Sequence, residues 1–293
     1  MELRVLKYFL TIANEQNISK AADIIHITQP TLSRQIMDLE DELGVKLFER
    51  NKQNRKFLLT EEGIRFYNYA QEIVQLSDKT VEEFKSSNSE ISGKIFIGAG
   101  ETSVISTVAR AFYNLKQKHP RLEINLFSSE AYTISERMDK GLCDFGLFIG
   151  FKNEKYNTFT LPQKDVWGLL THKDNPLAKY KTIKKENLLE HYEPIMVSQQ
   201  AQTKKELLDW FGGSTAKYNI IGTYNLSYNA SVFVQNKVCS ALTLDGIIST
   251  NKENDLRFIP LEPTIESEVV IAWKKGIKLS KSAQLLLEEL KKV

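Results

Sequence analysis

Two short helices separated by a tight turn are predicted within residues 21–44, and this spacing constrains the fold of the first part of the chain more than any other feature. Ser19 is positioned to cap the first helix, and consecutive alanines allow a second helix to pack closely on it. Thr28 or Gln29 then caps the second helix, and Pro30 stands in its first turn, where a missing N–H is harmless. The pattern is typical of a helix-turn-helix.

The second helix is amphipathic, with one face for a protein core and one for solvent or a partner. Its apolar stripe has steps of four, three and four residues and consists of Leu32, Ile36, Leu39 and Leu43. The opposite face carries Pro30, Thr31, Arg34, Met37 and Asp38. Because an amphipathic helix with one exposed arginine is usually only a solvated helix, this segment alone leaves DNA recognition and simple solvation open.

The N-terminal end of this helix concentrates groups that suit DNA, namely Gln29, Thr31, Ser33 and Arg34. The helix dipole makes this end positive, which favours phosphate, and Gln and Arg can make paired hydrogen bonds to adenine and guanine edges. An acidic run stands at the other end and consists of Asp38, Glu40, Asp41 and Glu42. These carboxylates would repel a DNA backbone, so we expect the helix to enter a major groove with its N-terminus first.

A basic segment, residues 46–56, follows the second helix directly and carries one acid, Glu49. Its five basic residues are Lys46, Arg50, Lys52, Arg55 and Lys56. Apolar residues on both sides predict a two-stranded hairpin anchored at its base. A basic tip can contact phosphates or the minor groove, whereas a solvated turn is the other common outcome for a run of charge.

Residues 1–60 resemble the DNA-binding domain of the LysR-type transcriptional regulators. The family pattern, two helices and then a wing that ends in L-T-x-x-G, is matched at Ala21, Ala22, Gln29, Pro30, Ser33, Ile36, Leu39, Glu40, Leu43, Gly44, Leu47, Phe48, Arg50, Leu59, Thr60 and Gly63. So many matches at fixed spacing are far more specific than a single short motif.

The resemblance implies contact residues in both parts of this domain. The side chains implied to face bases or phosphates are Gln29, Thr31, Ser33 and Arg34, and those implied to sit on the backbone are Arg50, Lys52, Arg55 and Lys56. The full set of DNA-binding candidates adds Ser19, Lys20 and Pro30. Thr31 stands where a small Ala or Ser is common in the family, which leaves the fold unaffected but bears on base preference.

The chain has 293 residues, which is long enough for two domains. Its formal net charge is only +2, so it is not a polycation that binds DNA by its overall charge. DNA affinity would therefore come from local segregation of charge. Cys143 and Cys239 lie far apart with no His or Cys at metal spacing, so we expect neither a disulfide nor a zinc site. The N-terminus lacks a signal-peptide pattern and no apolar run approaches about 18 residues, so we expect a cytoplasmic protein without membrane contact.

The sequence does not indicate an enzyme. It has no nucleophile elbow, no phosphate-binding glycine loop and no metal-binding cluster. The histidines are scattered along the chain at His26, His119, His172 and His191. We therefore expect no catalytic residue, no metal and no cofactor apart from a small-molecule effector.

A long helix is predicted from Thr60, which can cap it, to about Lys85, before a polar hinge at Ser86–Ser89. Its narrow apolar seam consists of Tyr67, Ala70, Val74, Val81 and Phe84. The seam can pack on the chain's own domain, but we favour a dimer interface, because a single helix-turn-helix contacts only one half-site. The resemblance implies the same, since LysR-type regulators dimerise through this helix and often form tetramers.

Beyond residue 94, short apolar strands alternate with helices, which predicts a parallel α/β sheet. The predicted strands are Ile95–Gly98, Leu122–Leu126, Asp144–Ile149, Val166–Thr171, Ile195–Val197, Asn219–Gly222, Val238–Leu242 and Glu268–Trp273. The clearest helices are Ser103–Lys118, Ile134–Lys140 and Ser280–Lys292. Two such halves with a late return segment fit a periplasmic-binding-protein-like fold, and Gly141–Asp144 resembles part of the LysR-type effector domain.

The predicted fold class is therefore α/β, with three parts in chain order. A winged helix-turn-helix covers 1–59, a linker helix and hinge cover 60–90, and a two-lobed effector-binding domain covers 91–293. Within that domain, lobe I is placed at about 91–163 plus 266–293 and lobe II at about 164–265.

A ligand in such a sheet binds at the carboxyl ends of strands, near helix N-termini. The effector candidates given by this rule are Gly100, Glu101, Thr102, Ser103, Ser128, Ser129, Phe148, Ile149, Gly150, Ser198, Gln199, Gln202, Tyr224 and Asn225. Thr102 and Ser103 are the preferred candidates for holding a carboxylate, although helix capping explains them equally well. Glu101 is unusual for an anion pocket and leaves open a solvent-facing side chain or a ligand with an amino group.

Together these features predict a sequence-specific transcription regulator that responds to a small molecule bound between two lobes. Its expected partners are promoter DNA with an interrupted inverted repeat, further copies of itself in a dimer or tetramer, and RNA polymerase. The alternative is a small-molecule binding protein whose N-terminal domain serves only assembly, but such a module has no need of a basic hairpin tip. The effector, the target genes and the sign of regulation stay open.

Overall fold

The computed structural model describes residues 1–51, 56–85, 92–199, 205–250 and 254–292. The chain divides into two compact units, Met1–Asn88 and Ser89–Val293. Three predicted features lie outside the described residues. They are the wing tip with Lys52 and Arg55, the polar hinge, and the effector candidate Gln202.

The first unit contains the elements expected of a winged helix-turn-helix and a long helix. In chain order they are α1 (Leu3–Glu15), α2 (Ile18–Ile24), α3 (Gln29–Leu43), β1 (Phe48–Asn51), β2 (Lys56–Leu59) and α4 (Glu61–Lys85). One hydrophobic core joins all of them, and Phe9 at its centre is fully buried against the rings of Phe48 and Phe66. The prediction of two helices and a hairpin is confirmed.

Two local expectations for this unit are wrong. The residue that caps α2 is Asn17, whose side chain accepts the backbone N–H of Lys20 at 3.0 Å, so Ser19 is an exposed residue of the first turn. Leu43 is 38 % exposed, because α3 ends there and Gly44 adopts a left-handed conformation (φ +71°) that turns the chain away.

The predicted seam of α4 divides between two environments. Tyr67, Ala70 and Val74 pack against the core of their own unit, and Tyr67 Oη donates to Asn14 Oδ1 at 2.7 Å. These three residues therefore pack on their own domain, which was the alternative to a dimer interface, and the prediction that they form a dimer interface is corrected. Val81 and Phe84 are exposed, at 46 % and 78 %.

The second unit is a mixed α/β domain. Its strands are β3 (Gly93–Ala99), β4 (Leu122–Ser128), β5 (Phe145–Ile149), β6 (Tyr156–His172), β7 (Ile195–Ser198), β8 (Ile220–Tyr224), β9 (Ser240–Leu244), β10 (Leu256–Pro260) and β11 (Glu266–Lys274). Its helices are α5 (Ile105–Lys118), α6 (Ala131–Asp139), α7 (Lys185–Glu190), α8 (Lys205–Trp210), α9 (Ser227–Gln235) and α10 (Lys281–Leu290), with a short 3-10 helix at Pro176–Lys179.

The strand order is β4-β3-β5-β11-β6-β9-β7-β8, with β10 paired to β6. β3 pairs in parallel with β4 and β5, and β7 pairs in parallel with β8 and β9. The expectation of a parallel sheet holds for these pairs, but the sheet as a whole is mixed, because β11 is antiparallel to β5 and β6, and β6 is antiparallel to β9 and β10. β11 is the late return segment, which brings the chain back to the first half.

Besides two smaller clusters that include Phe148 and Tyr224, the described residues of this unit form two large hydrophobic cores, one in each half of the sheet. One surrounds Ile97, Leu147 and Leu161, and the other surrounds Trp167 and Leu242. The change from one core to the other falls within β6, between residues 161 and 167. None of the helices in the described residues is long and apolar enough to cross a membrane.

Candidate functional site

The exposed face of α3 presents the predicted polar residues to solvent. Pro30, Thr31 and Arg34 are all exposed, and the Thr28 side chain caps the helix by accepting the N–H of Thr31 at 3.4 Å. The Thr28 and Thr31 hydroxyls are 2.7 Å apart. This cap leaves the first turn of α3 intact and directed outward, as a recognition surface requires.

Neighbouring side chains on α3 hold one another in place. Gln29 Nε2 donates to Ser33 Oγ at 3.2 Å across one helical turn. Their link fixes the Gln29 amide near the helix N-terminus, while Arg34 projects from the next turn. Lys20, on α2, is exposed and pairs with Glu15 at 2.5 Å.

The hairpin β1–β2 is antiparallel and pairs Phe48 with Leu59 at its base and Asn51 with Lys56 near its tip. Lys56 is exposed, whereas Lys52 and Arg55 fall in the part of the wing outside the described residues. Phe57 is bound into the domain by its backbone N–H, which donates to Gln16 O at 3.0 Å. The wing is thus fixed at its base beside the helix-turn-helix.

Glu40, which was predicted to repel a DNA backbone, is a buried residue that holds the start of the wing. It is 7 % exposed, and its Oε1 accepts the backbone N–H groups of Leu47 at 2.8 Å and Phe48 at 3.2 Å. Its Oε2 accepts Lys46 Nζ at 2.7 Å, and this hydrogen bond raises the pKa of Lys46. Glu40 therefore anchors the start of the wing instead of repelling a DNA backbone, and Lys46 is held in an ion pair.

Thr60 joins the end of the wing to α4. Its hydroxyl donates to Lys46 O at 2.6 Å and accepts the N–H of Gly63 at 2.9 Å, which confirms the predicted cap. A Cβ on Gly63 would lie 2.1 Å from Leu47 O, so the helix can approach the wing only where this side chain is absent. This geometry gives a physical reason for the L-T-x-x-G pattern.

In the second unit, residues from both halves of the sheet form an open cleft. It is lined by Glu101, Glu130, Ile149, Trp167, Ser198, Gln199, Tyr224, Asn225, Ser227, Thr243, Leu244 and Ile247. Six of the predicted effector residues meet here, namely Glu101, Ile149, Ser198, Gln199, Tyr224 and Asn225.

The preferred candidates Thr102 and Ser103 do not line this cleft. Thr102 is 5 % exposed, and its Oγ1 accepts the N–H of Val104 at 3.1 Å, just before α5 begins. Ser103 Oγ donates to Asp165 Oδ1 at 2.9 Å. Their hydroxyls thus bond within the protein, but neither caps α5, whose N-cap residue Val104 has no side-chain cap. Other predicted effector residues outside the lining are Gly100, Ser128, Ser129, Phe148 and Gly150.

Half of the lining residues were missed by reasoning from strand ends. Trp167, Thr243 and Leu244 lie within β6 and β9, and face the cleft from the strands themselves. Ser227 begins a helix directly after β8, which was a usable signal, whereas Glu130 and Ile247 stand in connections without a distinctive pattern.

Tyr224 closes the floor of the cleft. Its hydroxyl donates to Leu242 O at 2.6 Å, and burial raises its pKa to about 12. The nearby Glu101 carboxylate contributes to this upward shift by its negative charge. Tyr224 is therefore neutral and held in one position, and it contributes its aromatic ring to the lining of the cleft.

Glu101 spans the cleft. It follows β3 in the first half of the domain, and its Oε2 accepts the backbone N–H of Ser227 at 2.7 Å, the first residue of α9 in the second half. The N-cap residue of α9, Leu226, provides no side-chain cap, so the Glu101 carboxylate takes that place.

Two family models match the chain. Residues 3–64 match the bacterial regulatory helix-turn-helix proteins of the lysR family, and residues 88–293 match the LysR substrate binding domain. The chain belongs to the LysR family. The exposed α3 face lies in the first matched segment and the cleft lies in the second.

Curated LysR-type relatives match over part of their length. The HTH-type transcriptional regulator BsdA of Bacillus subtilis is 37 % identical over 144 residues, which are 49 % of this chain and 49 % of BsdA. BenM of Acinetobacter baylyi is 38 % identical over 146 residues, 50 % of this chain and 47 % of BenM. The chain spans about half the length of these curated relatives.

Solved LysR-family structures match the whole chain. Full-length CbnR in complex with its target DNA superposes with a TM-score of 0.77 at 18 % identity, covering 100 % of this chain and 99 % of CbnR. Full-length BenM gives a TM-score of 0.55 at 26 % identity, with 100 % and 96 % covered. The likeness to CbnR shows that the two folds are shared.

Proposed function

We propose that this LysR-family chain is a sequence-specific transcription regulator that binds promoter DNA through α3 and the wing. The observation that carries the proposal is the capped, outward-facing first turn of α3 beside an anchored hairpin, within a domain matched by the lysR family model. Gln29 and Arg34 then contact base edges or phosphates, and the basic residues of the wing contact the backbone. A domain used only for assembly has no need of this arrangement.

The proposal includes an oligomer that binds an interrupted inverted repeat, because two half-sites require two copies of α3. An exposed apolar stripe on α4 supports this part. It consists of Tyr69, Ile73, Leu76 and Phe84, which are 62 %, 40 %, 42 % and 78 % exposed. These residues share one helix face, and an apolar stripe on an otherwise polar helix favours a partner helix. The assembly is a dimer or tetramer.

The cleft of the second unit is the proposed effector site. A small molecule there contacts residues from both halves of the sheet, so it can favour one angle between the halves over another by its differential affinity. That change alters the spacing of DNA-binding domains and the access of RNA polymerase to the promoter. A regulator of this kind acts in the cytoplasm, where the DNA is.

The direct test is to incubate the purified protein with sheared genomic DNA from its source and to sequence the retained fragments. We expect a few sharp peaks centred on interrupted inverted repeats, lost when excess operator duplex is added. Uniform retention of all fragments at low and at moderate salt would contradict sequence-specific recognition.

A further inference from the structure

The charged groups that line the cleft have one sign. Among its described lining residues the ionisable carboxylates are Glu101 and Glu130, and there is no Lys, Arg or His. The apolar part of the lining consists of Ile149, Trp167, Leu244 and Ile247. A cavity with two carboxylates and an apolar wall attracts a cation and repels an anion.

The position best suited to an anion is already taken by the protein. An anionic ligand binds most favourably at a helix N-terminus, and two helices begin at residues that line the cleft. α6 begins directly after its N-cap residue Glu130, whose carboxylate repels an anion, and α9 begins at Ser227. There the Glu101 carboxylate accepts the Ser227 N–H at 2.7 Å. A ligand carboxylate would have to displace Glu101 and then stand beside its negative charge.

The two hydroxyls that were candidates for holding a carboxylate are not available either. Thr102 Oγ1 accepts the N–H of Val104, and Ser103 Oγ donates to the Asp165 carboxylate. Neither residue lines the cleft. Glu101 Oε1, in contrast, makes no hydrogen bond to a described residue, so it can accept one from a ligand.

We propose that Glu101 makes this cleft selective for a small organic amine and closes it to carboxylates. Glu101 acts as a built-in anion at the start of α9, and the ammonium group of the ligand donates to its second oxygen. The apolar part of the ligand lies against Trp167 and Leu244. This inference rests on the proposed function, because the cleft is taken to be the effector site.

The first experiment compares three probes of one shape on the full-length protein by calorimetry. They are phenethylamine, its carboxylate analogue hydrocinnamate and its neutral analogue phenethyl alcohol. We expect phenethylamine to bind most tightly, and Glu101→Gln to weaken it about tenfold, because the amide keeps the hydrogen bond to Ser227 but removes the charge. The control Glu123→Gln, on β4 outside the cleft, leaves binding unchanged.

The second experiment asks whether Glu101 occupies an anion position, without any assumption about the effector. Glu101→Ala removes the carboxylate from α9, and we expect Tm to fall by about 2–4 °C. Acetate should restore most of this loss in the variant, because it can replace the missing group, and should leave the wild-type Tm unchanged.

The proposal is overturned if hydrocinnamate or phenethyl alcohol binds the wild type as tightly as phenethylamine, if phenethylamine does not bind, or if acetate fails to restore Glu101→Ala. These results are independent of the genomic retention test. Uniform retention there refutes the DNA-binding function, whereas sharp peaks together with tight hydrocinnamate binding refute only the selectivity for amines.

Discussion

Glu40 holds the start of the wing through hydrogen bonds to two backbone N–H groups and to Lys46. At the scale of single residues, this arrangement shows how a carboxylate in an acidic run can be a buried structural group. Asp38, in the same run, is exposed on the opposite side of α3. The charge and sequence spacing of Glu40 and Asp38 do not distinguish their roles. The difference arises because the tertiary fold brings hydrogen-bond donors close to the Glu40 carboxylate.

We predict that Glu40→Ala lowers the free energy of unfolding of the first unit by about 2–4 kcal/mol, since it leaves the N–H groups of Leu47 and Phe48 unpaired in the core. Urea unfolding followed by circular dichroism measures the change. Asp38→Ala is the matched control and should alter stability by less than about 0.5 kcal/mol. Equal effects would mean that Glu40 does not anchor the wing.

Arg34 and Lys56 should differ in what they contribute to DNA binding. We expect Arg34→Ala to weaken binding to the operator by about 1–3 kcal/mol and to relax base preference at one position. Lys56→Ala should weaken binding to operator and random duplexes alike and reduce the salt slope by about one unit. Fluorescence anisotropy at several salt concentrations measures the affinity of each variant for operator and random duplexes. The same change in affinity and in salt slope for both variants would refute the different roles of Arg34 and Lys56.

Cys239 is predicted to be an unreactive thiol. Burial, followed by the charge of Glu193, raises the pKa of Cys239 to about 11, so that roughly one molecule in a thousand is a thiolate near pH 8. We expect slow alkylation by iodoacetamide at that pH and a rate that rises with pH up to about the thiol pKa. Rapid alkylation of the native protein near neutral pH, followed by peptide mass spectrometry, would contradict the buried position.

At the scale of elements, α4 carries two apolar stripes, one packed on its own unit and one exposed. Tyr67, Ala70 and Val74 pack on the core of their own unit, while a second stripe that includes Ile73 and Leu76 is exposed. The period of the sequence predicted an apolar seam on this helix. It could not show which of two neighbouring stripes faces the domain, because both contain apolar residues at helical spacing.

We predict that Ile73→Glu weakens self-association at least about hundredfold, because it places a charge in the exposed apolar stripe. Asn68→Glu, on another face of α4, is the matched control and should leave the mass unchanged. Mass photometry over a dilution series gives the oligomeric state. An unchanged oligomer with Ile73→Glu would place the interface elsewhere.

Elements with a clear apolar pattern were predicted, whereas α7, α8, α9 and β10 were not. The helices α5 and α10 follow from the helical period of their apolar residues, and the strands β3 and β5 follow from short apolar runs. α7 and α8 have six residues each, too few for a helical period to be visible. The prediction placed a strand at Val166–Thr171 and missed the first half of β6, which contains Pro162 and is a strand because it pairs with β11.

The lining of the candidate site could also be predicted only in part from the sequence. The rule that ligands bind at strand ends found Glu101, Ile149 and Tyr224, because it depends only on chain order. It missed Trp167 and Thr243, since the face that a strand residue presents depends on the register of its neighbours. It also could not show that Ser103 is committed to Asp165, a partner 62 positions away in the chain.

At the scale of the whole molecule, the two compact units have separate cores and separate folds. We predict that a fragment of residues 89–293 folds on its own, shows cooperative thermal unfolding and binds phenethylamine with the affinity of the full-length protein. Calorimetry tests all three points. A fragment that aggregates or melts without a cooperative transition would show that its stability depends on the first unit.

The strand β6 runs without a break from the core around Leu161 to the core around Trp167, and it is paired along its first part with β11. Stretching or sliding this two-stranded ribbon would break backbone hydrogen bonds, whereas twisting it changes them little. The connection between the halves is therefore stiffer against sliding than against twisting, and we expect a molecule that binds both halves to rotate one half relative to the other. The shift of register between Glu268 and Val270 interrupts this pairing, and such irregularities increase the local twist of a strand pair.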